Sequence, residues 1–390
     1  MQRVEIPFEY PVYFTRNIFS PENRILRNFM EAQLDPPFVR VGIWFDRGLV
    51  DAQPHLPALA AGKLCEEFGD RFVADPTVFT GGEAVKNGLS SCKAMIDYLM
   101  RYGFCRHSVI IGVGGGAFLD AAGFATSLFH RGVRFIRLPS TTLAQGDSGV
   151  GVKNGINYAG KKNLLGVFAP PVAVINDFEL LRSLPPRLIK DGIAEAIKVA
   201  VIRDRHFFER IESLAPAIAA NDFDAVCEVV RASALLHMQH IASGGDPFER
   251  GQGRPLDFGH WLAHRLESDS GFRVRHGEGV GIGICVDSIY AAMKGLIREE
   301  EAMRICACVR GCGLPLWDHV LNASDAGGKP AILAGLEDFR EHLGGRLSIT
   351  LPQGLGDKIE VHEIDIQLMI RALERLRGEG EGATPEETMA

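Results

Sequence analysis

Four short runs in the first half of the chain, residues 40–45 (RVGIWF), 108–113 (SVIIGV), 133–138 (VRFIRL) and 172–175 (VAVI), are mostly apolar and rich in β-branched or aromatic residues. Runs of this length without regular polar alternation predict strands covered on both faces. Glycine or acidic turn residues and then a helix-like stretch follow the first two, the βα alternation of a parallel sheet. Beyond about position 177 the apolar spacing changes to three and four, and residues 189–203, 223–240 and 279–294 read as helices. The expected organisation is a dinucleotide-type α/β domain over residues 1–176 and a mainly helical domain over 177–377. Residues 378–390 (GEGEGATPEETMA) are acidic, glycine-rich and nearly without large apolar side chains, which predicts a solvated, flexible tail. No internal repeat interrupts this plan.

Composition narrows the function classes. At 390 residues, 46% hydrophobic and 23% charged, the chain can bury two cores, which excludes disorder as its main state. A formal charge of −7 removes the diffuse attraction that nucleic-acid or acidic-membrane binding needs, so any anion site must be local. The first residues show no basic segment followed by an apolar run, and no apolar stretch approaches the roughly 18 residues of a membrane span; a cytoplasmic protein is the expectation. Eight cysteines without CxxC spacing are read as reduced and mostly buried, with Cys306, Cys308 and Cys312 assigned to helix packing.

Three constellations carry candidate chemistry. Gly112, Gly114, Gly115 and Gly116 follow a predicted strand and open a helix containing Asp120. Such a corner lets a pyrophosphate approach backbone N–H groups and a helix dipole, although the same glycines also suit a plain tight turn. Asp46, at the end of an earlier strand, stands where a ribose-hydroxyl acceptor would. In the helical half, His260 and His264 are four apart, His276 follows, and Glu195 interrupts an apolar helix. A carboxylate among apolar neighbours is costly unless paired or bound to a metal. Two histidines and one glutamate make an open, catalytic type of zinc site; the alternative is a buried polar network. Residues 138–163 read as a glycine- and hydroxyl-rich loop with Lys153, Lys162 and Asn163, suited to a phosphorylated ligand or simply to solvent.

The blocks GGGAFLDAAGFATSLFHRGVRFIRLPSTTLAQGDSGVGVKNGIN, GKKNLLGVFAPP, GIAEAIK, FGHWLAH and RHGEGVGIG resemble, in order and spacing, those of dehydroquinate synthase and its sugar-phosphate-cyclase relatives, over most of residues 46–290. The resemblance implies an α/β fold with an N-terminal Rossmann-like parallel-sheet domain followed by a mainly α-helical metal-binding domain. It implies zinc, with cobalt as the alternative ion, on Glu195, His260 and His276, and NAD against Asp46, Glu83, Lys86, Gly115, Gly116, Asp120, Thr141, Thr142 and Leu143. Lys153, Lys198, His264 and Asp147 become catalytic residues, Lys162 and Asn163 bind substrate, and Arg131 reaches the phosphate, in this subunit or a neighbouring one. The implied enzyme is a phosphate-eliminating carbon–oxygen lyase acting on a small sugar phosphate, and a homodimer. NAD oxidises a ring carbinol, phosphate leaves, the hydride returns, the ring opens, and an intramolecular aldol addition closes a carbocycle.

The sequence departs from the dehydroquinate-forming members where they hold the substrate carboxylate. The lysine position is His237, the asparagine is Asp257, and the arginine is displaced, with Gly253 at its place and Arg254 beside it. An aspartate facing a substrate carboxylate is repulsive by roughly several kcal/mol if desolvated. The resemblance therefore implies the family's carboxylate-free substrate, sedoheptulose 7-phosphate, with Asp257, His237 and Arg254 around its CH₂OH end. The wording GGDPFE and RPLDFGHW is similar to the branch that includes 2-epi-valiolone synthase. Dehydroquinate synthesis, a metal- and NAD-dependent polyol dehydrogenase, and a cyclase-derived scaffold without turnover are the other readings.

Overall fold

The structure, a computed structural model, describes residues 1–2, 7–33, 40–243, 248, 256–342 and 345–381. Arg254, Gly253 and the last nine residues of the expected tail, 382–390, lie outside the described residues. The chain divides into two compact units, Met1–Pro185 and Pro186–Ala390.

In the first unit, strands β1 (Val12–Thr15), β2 (Val41–Asp46), β3 (Thr77–Phe79), β4 (Val109–Gly114), β5 (Arg134–Pro139) and β8 (Ala173–Asp177) form a parallel sheet in the order β1-β8-β5-β4-β2-β3. The four apolar runs are β2, β4, β5 and β8. Alternate residues divide between two cores. Ile43, Phe45, Ile111, Val113, Ile136 and Ile175 pack with α1 (Ile25–Gln33) and α3 (Leu56–Phe68), whereas Trp44, Ile110 and Phe135 pack with α4 (Ser90–Arg101) and α5 (Gly116–Leu128). Helices on both faces explain why β4 is apolar throughout and β2 up to its terminal Asp46. A short α2 (Arg47–Ala52) follows β2.

The segment expected as a loop is ordered. It holds α6 (Thr142–Gly146) and a hairpin of β6 (Lys153–Tyr158) and β7 (Lys161–Phe168). Ala159 (φ 50) and Gly160 (φ 76) make a two-residue turn with both φ values positive, the geometry whose twist matches antiparallel strands. Ala-Gly lacks the usual Asn-Gly signal, which hides the hairpin in the sequence.

A buried arginine ties this region to the sheet. Arg137, fully buried on β5, donates from Nη1 to the Gly149 and Gly151 carbonyls (3.1 and 2.9 Å) and from Nη2 to the Lys153 carbonyl and Asn154 Oδ1 (3.0 and 2.7 Å). Arg137→Met leaves buried acceptors without donors, so it is expected to cost on the order of 3–5 kcal/mol. Urea unfolding of the metal-free chain reads this directly; an unchanged midpoint would remove Arg137 as the anchor.

The second unit contains α7 (Pro186–Arg203), α8 (Arg205–Ala219), α9 (Phe223–Ser243), α10 (His260–Asp269), α11 (His276–Met293), α12 (Glu299–Gly311), α13 (Ala334–His342), α14 (Ile366–Glu381) and a two-stranded sheet of β9 (Ile349–Pro352) and β10 (Lys358–Val361). Residues 191–202 of α7 and most of α11 are buried in one core with α8, α10, α12 and α14. The division between units falls after Pro185 rather than at 176, because β8 and the turn through Ser183 remain with the first unit. Residues 378–381, expected as tail, continue α14: Arg310 Nη2 donates to the Glu379 carbonyl at 2.7 Å, and Gly380 lies against Trp317. All eight cysteines are free, six of them buried, and no metal-competent group among the described residues includes one. No helix among the described residues is long and apolar enough to cross a membrane.

Candidate functional site

In the first unit most of the expected nucleotide residues gather at the C-terminal ends of parallel strands, the edge where α/β sheets bind ligands. Asp46 ends β2 and accepts from Gly48 N (2.7 Å), capping α2. Thr141 follows β5 and caps α6 by accepting from Ala144 N (3.1 Å), with Thr142 buried behind it and Leu143 beside it. Gly115 is the N-cap of α5 and supplies no side-chain cap, so the first N–H groups of that helix remain available. A Cβ at Gly114 would lie 2.7 Å from Asp46 Cβ, and one at Gly116 would lie 2.5 Å from Ser148 Oγ. Ser148 Oγ is itself buried with no hydrogen-bond partner among the described residues. A glycine cradle, uncapped helix N–H groups and an orphaned hydroxyl fit a pyrophosphate.

Glu83 and Lys86 occupy a short 3-10 turn. Buried Lys86 donates to Asp120 Oδ2 (2.9 Å) and to Asn163 Oδ1 (2.5 Å), joining α5 to the hairpin. Asn157 carries no motif signal, yet it organises this corner: its Nδ2 donates to Glu83 Oε1 (2.9 Å), and its Oδ1 accepts from Asn163 N (2.9 Å). Asn163 is held at φ 52. Lys153 starts β6 and Lys162 lies on β7; Asp147 ends α6.

Arg131 does not join them. It lies in the turn after α5, and the 13 residues of that helix place it about 20 Å from Gly116. His130 (φ 51) and Arg131 (φ 65) both adopt left-handed backbone, a strained pair for non-glycine residues.

In the second unit, Glu195, His260 and His276 offer ligand atoms that all lie within 4.8 Å of one another. Arg187, Asp191 and Glu195 are four apart on α7 and share one face. Arg187 pairs with Glu278 (2.5 and 2.7 Å) and Asp191 with Arg275 (2.9 Å), which fixes the N-terminus of α11, where His276 is the first residue, against α7. A Cβ at Gly277 would overlap Asp191, so this approach requires glycine. His260 is the first residue of α10, after Gly259 at φ 78.

Both imidazoles present Nε2 to Glu195 Oε1, at 3.1 Å from His276 and 3.5 Å from His260. Their Nδ1 atoms are engaged elsewhere: His260 donates to the Phe258 carbonyl (3.0 Å) and His276 to Glu267 Oε2 (3.3 Å). Such outer contacts orient metal-ligating imidazoles. Lys198 pairs with Glu195 Oε2. Burial alone would raise the Glu195 pKa, but Lys198 and the imidazoles hold it well below the usual carboxylate range. Burial would lower that of His276, yet its hydrogen bonds to Glu195 and Glu267 push it up to about 10. Two imidazole nitrogens with a carboxylate oxygen suit zinc or cobalt while leaving positions open.

His264 is one turn along α10, its ring 5.6 Å from His260 and 6.1 Å from His276; it lies outside the Glu195, His260 and His276 group but forms a second one with Glu267 and His276, whose ligand atoms also lie within 4.8 Å of one another. Asp257 precedes His260 by three residues, and its carbonyl accepts from His260 N (3.0 Å). His237 is half-buried on α9. Glu267 and Asp191 carry no sequence signal, since their partners arrive only through helix packing.

Family models for the 3-dehydroquinate synthase N-terminal and C-terminal regions match residues 76–191 and 192–327. The 2-epi-valiolone synthase of Actinosynnema mirum is 35% identical over 77% of this chain and 78% of its own length. The 3-dehydroquinate synthase of Roseobacter denitrificans is 33% identical over 82% of this chain and 85% of its own. Among solved structures, ValA, the 2-epi-5-epi-valiolone synthase of Streptomyces hygroscopicus with NAD+ and Zn2+ bound, superposes with a TM-score of 0.81 at 24% identity, covering 97% of this chain and 99% of its own, and so shares the fold. With both family regions matched in order and relatives of this identity over most of its length, the chain belongs to the 3-dehydroquinate synthase superfamily of sugar phosphate cyclases.

Proposed function

We propose that the chain converts sedoheptulose 7-phosphate to a C7 cyclitol of the 2-epi-valiolone type with release of phosphate. The carrying observation is Asp257, a carboxylate three residues before the candidate metal ligand His260 and hydrogen-bonded to it through the backbone. A substrate carboxylate there would meet like charge, whereas a CH₂OH group would donate to it. His237 adds no strong cation in compensation. The name of the Actinosynnema mirum relative supports the same product.

Glu195, His260 and His276 would hold zinc or cobalt, and Asp46, Glu83, Lys86, Gly115, Gly116, Asp120, Thr141, Thr142 and Leu143 would hold NAD. When bound, NAD supplies a hydride acceptor restored within each turnover, and the ion supplies a Lewis acid. Lys198 keeps Glu195 ionised, while Glu267 and the Phe258 carbonyl keep both Nε2 atoms facing Glu195, where they would hold the ion. Lys153, Lys162 and Asn163 offer cations and an amide to the departing phosphate. His264 and Asp147 are the proposed proton carriers.

Phosphate release from sedoheptulose 7-phosphate with NAD and zinc, without accumulation of NADH, tests this reading. Net NADH from a polyol without phosphate release would make the chain a dehydrogenase instead.

The strained Arg131, remote from the other site residues of its own unit, supports a homodimer in which Arg131 of the partner subunit reaches the phosphate. Coexpressing Arg131→Ala with Glu195→Gln chains tests this: a mixed dimer regains one intact site, so activity returns to about a quarter of wild type after random pairing. Action within one chain predicts no recovery.

A further inference from the structure

The reactions proposed above leave one fully buried carboxylate without a role. Asp287 lies on α11 at 0% exposure, in the core rather than at the metal centre. Its Oδ1 accepts from Trp261 Nε1 (2.9 Å) and its Oδ2 from Gly259 N (3.1 Å). Among the described residues no lysine, arginine or histidine pairs with it, and burial pushes its carboxyl up to about 7. A carboxyl placed so is costly unless its position secures something.

Its two donors are the residues on either side of His260. Gly259 is the left-handed N-cap of α10, and one turn before Asp287 on α11 a Cβ at Gly283 would overlap the Gly259 carbonyl. The turn that presents His260 is therefore pressed on the backbone of α11 and gripped by Asp287 on both sides of the histidine. The two N–H donors meet different oxygens of Asp287, an arrangement a carboxylate offers, whereas an amide would turn an NH₂ donor toward one of them.

We propose that Asp287 is a positioning residue for the metal centre: by holding Gly259 and Trp261 it fixes the approach of the His260 imidazole to Glu195 and His276. This rests on the metal site of the proposed function. Groups that orient a metal ligand through a hydrogen bond typically contribute about 10- to 100-fold to affinity.

The test is cobalt loading of the metal-free full chain, read by ligand-field absorption and by chelator competition, for wild type, Asp287→Asn and Trp261→Phe. Far-UV circular dichroism and a melting curve establish that each is folded at the assay temperature. Asp287→Asn is expected to bind cobalt about 10- to 100-fold more weakly with altered bands. Trp261→Phe, which keeps an aromatic ring and the carboxylate but removes one donor, is expected to show a smaller loss in the same direction and remains the readout if Asp287→Asn does not fold. Wild-type affinity and spectrum in folded Trp261→Phe, and in Asp287→Asn where it folds, would overturn the proposal and leave Asp287 a packing residue. A wild-type chain that takes up no cobalt would instead overturn the metal centre itself.

Discussion

Glu195→Gln abolishes metal retention and lowers phosphate release by about three orders of magnitude, the loss expected when several kcal/mol of Lewis-acid stabilisation disappears at 1.36 kcal/mol per tenfold. Glu195 is the shared partner of three groups: both candidate imidazoles face its Oε1 and Lys198 its Oε2. An amide gives the ion no charge and removes the carboxylate that pairs with buried Lys198, so stability should fall with activity. Metal content of the purified variant, measured beside its kcat, checks both parts. A variant that retains stoichiometric zinc would move the centre away from Glu195.

The second large effect concerns substrate choice. Asp257→Asn removes a negative charge beside the candidate metal centre while conserving shape. At an effective dielectric of about 20, two like charges about 6 Å apart repel by roughly 3 kcal/mol, on the order of a hundredfold in preference. The ratio of kcat/KM for sedoheptulose 7-phosphate over the seven-carbon keto-acid phosphate should fall by about that factor. An unchanged ratio would remove Asp257 from substrate discrimination.

The legible parts of the sequence are those whose signal is local. The strands Val41–Asp46 and Val109–Gly114 read as continuous apolar runs because both faces are covered. Glu195 stood out because a carboxylate in an apolar helix is costly. The i, i+4 pair His260 and His264 marks the right helix, but each of the two groups with metal-ligand spacing takes only one of that pair and joins it to His276, the first residue of the next helix. Only the family resemblance points to His276, since the convergence of helix starts depends on tertiary packing. Glu267, Asp191 and Asp287 were silent for the same reason: each is defined by a partner on another helix. The hairpin turn at Ala159 and Gly160 was hidden by residue type, and edge strands Val12–Thr15 and Thr77–Phe79 by their short length and partial exposure.

The most direct test of the central claim is phosphate release measured in parallel from sedoheptulose 7-phosphate and from the seven-carbon keto-acid phosphate, each with NAD and zinc. The account predicts release from sedoheptulose 7-phosphate, with a carbocyclic product and no net NADH. Release from the keto-acid phosphate alone would contradict it and return the chain to dehydroquinate synthesis.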